Sequence, residues 1–145
     1  MKKLHVLFIV ALLAVVSSCE KADPIESRLI GEWKIKSIKE EKKRGIGFHA
    51  ITPTVGYEKI VFNANHTVEL HRKLQPVVYG TWEYFTEQNQ YVDPQGNVAY
   101  NYANVLNTVW DQELNYLGRN IVDVVRKQKL KFSNNDRNVV FECEK

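Results

Sequence analysis

From Leu29 onward apolar and polar residues alternate. Trp33 and Ile35 fall on one side with Leu29 and Gly31, while Glu32, Lys34 and Lys36 fall on the other. A period of two is the mark of a half-buried strand, here expected to run to about Glu40. Lys39 to Arg44 is charged at every position and reads as a solvated strand end and turn. The stretch to Gly56 reads as a long loop, broken by glycine and proline yet carrying apolar Phe48 and Ile51; long loops of this kind are often functional.

The alternation then resumes. Tyr57–Phe62 and Thr67–Leu74 read as strands joined by an Asn63-Ala64-Asn65-His66 turn, with Ile60, Phe62, Val68, Leu70 and Leu74 inward. Asparagine clusters favour such turns because the short amide side chain tolerates left-handed backbone. Gln75-Pro76 is expected to turn the chain again. Val77–Phe85 is the clearest strand, with Val78, Trp82 and Tyr84 on one face and Gly80 either relieving crowding or marking a bulge. Asp93-Pro94-Gln95-Gly96-Asn97 is a strong turn signal. The 101–117 stretch is ambiguous: Tyr102, Val105, Leu106, Val109, Trp110, Leu114 and Leu117 roughly follow helical spacing, but Asn, Thr and Val are poor helix formers. It reads as one or two irregular strands or a short helix. Ile121–Val125, Lys129–Phe132 and Asn138–Glu144 finish as strands, the last two joined by a turn at Ser133–Asp136. Short strands joined by sequential hairpins predict an all-β, antiparallel, up-and-down barrel.

The N-terminus is of a different kind. Met1-Lys2-Lys3 is followed by Leu4 to Val16, apolar except for His5. That run is shorter than the roughly 20 residues a membrane-spanning helix needs but suits the apolar region of a signal peptide. It ends Val16-Ser17-Ser18-Cys19, which resembles the lipobox of bacterial lipoproteins. The resemblance implies removal of residues 1–18, acylation of Cys19 with diacylglycerol and fatty acid such as palmitate, and a polar tether over 19–28 ahead of a domain at 29–145. Several acyl chains anchor firmly, at about 0.8 kcal/mol per buried methylene. Glu20 rather than Asp after Cys19 implies the outer membrane, on its periplasmic face or at the cell surface.

The body carries a second resemblance. Gly31-Glu32-Trp33 opens the first strand, Ile60-Val61-Phe62 and Thr67-Val68-Glu69 follow, and Gly80-Thr81-Trp82 lies in a central strand. This ordered set is similar to the lipocalin-like (G-x-W) lipoproteins of Bacteroidetes and spans most of 29–145. It implies an arginine packed across the first tryptophan at the barrel base, with Arg126 and Arg137 as candidates, and a cavity at the open end.

Composition narrows the chemistry. The chain has 145 residues, a single-domain length, with 44% hydrophobic and 26% charged residues, a globular balance. Net charge is +3, part of it from Lys2 and Lys3, which argues against nucleic acid as a partner. With Cys19 acylated, Cys143 has no intramolecular partner and reads as a small buried hydrophobe. No nucleophile elbow, P-loop, C-x-x-C or H-E-x-x-H motif occurs. His71 shares a strand face with Glu69, but two ligands do not make a metal site. Asp123, among valines, faces in or out. No catalytic set, cofactor or metal is expected.

The expected function is a non-enzymatic, lipid-anchored envelope binding protein. In one reading it holds a small apolar ligand or peptide against Trp33, Phe62, Leu70, Tyr79, Trp82, Tyr84, Tyr100 and Tyr102. In the other the barrel is filled and the protein is a structural or interaction subunit, or an inhibitor, of an envelope complex. Interior volume decides between them.

Overall fold

A computed structural model describes residues 24–145 apart from Asn115. The expected signal segment, Cys19 and the expected tether as far as Asp23 lie outside the described residues. Within the stretch expected as tether, Pro24–Leu29 form a short helix, α1, with proline at its start, where a missing N–H costs nothing.

Nine strands follow: β1 (Gly31–Glu41), β2 (Phe48–Ala50), β3 (Tyr57–Phe62), β4 (Thr67–Arg72), β5 (Gln75–Val92), β6 (Val98–Trp110), β7 (Arg119–Arg126), β8 (Lys129–Asn134) and β9 (Val139–Glu144). Each pairs antiparallel with the next in the order β1-β3-β4-β5-β6-β7-β8-β9, and β9 returns to β1. Eight strands therefore close an up-and-down barrel with no free sheet edge around its wall. β2 is a short addition on the end of β1, at Lys39–Glu41.

Alternation places the core. Trp33, Ile35 and Ile38 of β1, Ile60 and Phe62 of β3, Val68 and Leu70 of β4, Val78 and Trp82 of β5, and Phe132 and Phe141 of β8 and β9 all point in and are buried. Phe132 stacks on Phe141 with centroids 4.7 Å apart, and Phe62 meets Trp82 edge-on at 5.4 Å. The inward step from Ile35 to Ile38 is odd because a bulge between Ile35 and Ser37 inserts one residue.

The supposed loop before β3 is partly structured. Ile51 N donates to Ile38 O at 2.8 Å, and Thr52 Oγ1 accepts from Ile38 N at 2.7 Å. These bonds pin Ile51 and the single-turn helix α2 (Thr52–Val55) against β1 and bury Ile51. Ile46 and Phe48 stay exposed.

Several boundaries differ from expectation: β5 runs on to Val92 rather than ending at Phe85, and β8 continues to Asn134, into the expected Ser133–Asp136 turn. The turn before β5 is Lys73-Leu74, not Gln75-Pro76, and Leu74, expected inward, is exposed there with φ 55°; Pro76 sits near the start of a strand, where its missing donor is tolerated. Among the described residues of 101–117 there is no helix: β6 runs to Trp110, and Asp111–Leu114, Tyr116 and Leu117 are irregular. β5 and β6 pair continuously from Gly80↔Trp110 to Val92↔Val98. β4 reaches β5 only as far as Thr81, and β7 pairs with β6 only at Val105–Asn107. Beyond those points the hairpin is a two-stranded ribbon that leaves the barrel wall.

Candidate functional site

The base of the barrel is built around Trp33. Its indole is fully buried, and Nε1 donates to Leu29 O at 2.7 Å. Lys145 Nζ lies 4.6 Å from the indole centroid and donates to Arg28 O at 3.1 Å and Ile30 O at 2.7 Å. One cation thus sits on an aromatic face and on the carbonyl end of α1, where positive charge is favoured. Partial burial lowers the Lys145 pKa. The expectation of an arginine across Trp33 is corrected: Arg126 and Arg137 are both exposed, and the final lysine takes that place because β9, paired to β1 at Lys34↔Glu144, delivers residue 145 to the base. Across the base, His66 Nδ1 donates to Trp82 O at 3.2 Å, and its ring tilts on that indole at 5.1 Å.

The eight candidate ligand residues divide. Trp33, Phe62, Leu70 and Trp82 are packed in the core. Tyr84 is half-buried and donates to Asn104 Oδ1 at 2.9 Å. Tyr79 points out of the wall and is exposed, as are Tyr100 and Tyr102 on the ribbon. The structure does not bring the eight together. Leu29, Trp33, Ile38, Leu70, Leu130 and Phe141 are each 0% exposed, so none of them borders a space that a water molecule could enter.

A cleft lies instead on the outside, where the ribbon stands beside β7 and the β8–β9 turn. Its volume is about 400 Å³. Glu87 and Asn89 come from β5, Asn101 and Tyr102 from β6, Arg119 from β7, and Asn135 and Arg137 from the turn. Arg119 braces it: its guanidinium pairs with Glu87, its Nε donates to Asn135 Oδ1 at 3.2 Å, and it lies 6.0 Å from the Phe85 centroid. Among the described residues Arg137 has no ion-pair partner. Of these, sequence reasoning singled out only Tyr102 as a ligand contact and Arg137 for a place across Trp33, because the cleft joins segments far apart in the chain.

Other candidates resolve simply. His71 Nε2 lies 3.2 Å from Glu69 Oε2, and among the described residues no group of three or more metal-ligating side chains assembles. Asp123 is exposed, since the register shift between Val122 and Val124 turns it outward. Glu142 accepts from Lys39 Nζ at 3.0 Å and Ser37 Oγ at 2.9 Å, and these bonds hold its carboxyl below the ordinary range. Cys143 is buried, and burial pushes its thiol up to about 12. Since the thiolate is the reactive form, Cys143 of a folded Cys19→Ala protein is expected to resist iodoacetamide at pH 8 and to react once denatured, as intact mass would show.

The chain matches no protein-family model, and no curated protein matches it. Among solved structures it is similar to a DUF4847 family protein from Bacteroides vulgatus ATCC 8482, with 11% identity over 82% of this chain and 94% of that one and a TM-score of 0.50. That likeness is one of fold: a Bacteroides β-barrel of the same general build.

Proposed function

We propose that the protein is a lipid-anchored, non-catalytic binding protein of the bacterial outer membrane, with a filled barrel as scaffold and the outer cleft as its working surface. The observation that carries this reading is the packing of Trp33, Leu70 and Phe141 with no exposure. Opening a ligand space there would cost the contacts of several large side chains. The alternative, a small apolar ligand inside the barrel, draws on the fold alone. The anchor rests on the apolar run Leu4–Val16 and the Val16-Ser17-Ser18-Cys19 sequence, and the partner is an envelope component reached from that anchor.

Native mass spectrometry of protein extracted from its own envelope tests both halves. The expected mass is that of residues 19–145 with an acylated Cys19 and no apolar small molecule. A co-purified lipid whose removal lowers the melting temperature would restore the hollow-barrel reading. Cys19→Ala is expected to move the protein from the membrane to the soluble fraction or leave it as uncleaved precursor. An N-terminus still at Met1 in the wild type would end the anchor.

A further inference from the structure

We propose that the outer cleft binds a carboxylate-bearing sugar, a uronic acid unit of a saccharide. This rests on the reading that the working surface is the outside of the barrel.

Three observations select that chemistry. First, the charges do not cancel. Arg119 and Arg137 face one carboxylate, Glu87, and Arg119 already holds it. Arg137 is left to meet an anion, and a guanidinium matches a planar carboxylate with two parallel donors. Second, the other polar groups are amides. Asn89, Asn101 and Asn135 each offer both a donor and an acceptor. A ring of hydroxyls needs the same mixture, whereas an apolar ligand would strand these amides without partners. Third, Tyr102 adds a flat ring with a polar tip at the same place. A volume of about 400 Å³ lies at the small end of ligand sites, suited to one or two sugar units.

The arrangement also depends on the fold. Between Lys73 and Arg119 the sequence contains no Lys, Arg or His. The ribbon therefore supplies amides, an aromatic and an acid, and all the positive charge of the cleft comes from β7 and the β8–β9 turn. Neither half is a site without the other.

The test is a titration of the chain lacking residues 1–19, followed by NMR of the asparagine side-chain amides, with D-galacturonate and D-glucuronate as probes. Galactose, acetate and a triglutamate peptide serve as comparisons. A uronate is expected to saturate in the millimolar range or below and to shift the Asn89, Asn101 and Asn135 signals. Galactose and acetate are each expected to bind at least about tenfold more weakly. Arg137→Gln, on an exposed side chain, is expected to weaken uronate about tenfold or more with the melting temperature unchanged. Acetate binding as well as a uronate would mark a bare anion site, and tighter binding of triglutamate a peptide site; either overturns the proposal, as does no shift with either uronate. Those failures would leave the anchored, filled-barrel reading standing, because that reading is decided by the mass of the native protein.

Discussion

Trp33→Ala is expected to cost about 3–5 kcal/mol, the usual range for truncating a buried aromatic. The indole is fully buried, so its whole volume is lost from a packed interior. Two polar interactions go with it: Leu29 O loses the Nε1 donor at 2.7 Å, and the Lys145 ammonium loses the ring face at 4.6 Å. A domain of this size holds only about 5–15 kcal/mol in all, so the guanidinium midpoint should fall by about a fifth or more. Trp33→Phe separates the contributions. It keeps an aromatic face under Lys145 but leaves Leu29 O without its donor, and its midpoint should lie between alanine and wild type. A Trp33→Ala protein that melted like the wild type would mean that the base of the barrel is not the packed plug described above.

That plug shows how far residue order alone reaches. The Gly31-Glu32-Trp33 pattern marked the indole and the strand carrying it, because a half-buried strand writes its geometry into alternation. The cation that covers the indole was not legible. Lys145 follows β9 as an unremarkable polar residue, and only the Lys34↔Glu144 pairing brings it to the base. α1 was hidden for a related reason. Pro24–Leu29 is too short to show periodicity, and its place depends on Leu29 entering the core from one end.

The ambiguity over 101–117 has a physical origin as well. Val105 and Leu106 point to opposite faces of β6, yet both are buried, so a period-two reading fails just where the ribbon leaves the wall. Further along, Tyr100 and Tyr102 are exposed on a strand paired with only one neighbour, where no core imposes a pattern. At Asp123 one inserted residue changes the face of everything after it. The cleft was invisible for the deepest reason. Glu87, Arg119 and Arg137 come together only through the successive pairing of β5 to β9, and a polar residue two strands away leaves no trace in local spacing. The tyrosines read as a rim were an amphipathic set, but only Tyr102 lies where charged groups converge.

Gly80 carries the other large effect, and there the sequence left two explanations open. The structure favours crowding. Gly80 pairs with Val68 on one side and Trp110 on the other. A Cβ built on it would overlap the Val109 carbonyl oxygen and come within 3.1 Å of the Trp110 Cα. These are backbone atoms of a neighbouring strand, so no rotamer change can relieve the overlap, and β6 itself must move. Gly80→Ala is therefore expected to cost about 3 kcal/mol, at the upper end for overpacking, although alanine ordinarily suits a strand better than glycine. The damage should be local at first. Amide exchange is expected to rise along the β5–β6 seam near Thr81, Trp82, Thr108 and Val109 before it rises at Phe132 or Phe141, since the β8–β9 core is distant from the clash. Gly80→Ala that stabilised the protein, or loosened all strands equally, would show that close approach of β5 and β6 is not what this glycine provides.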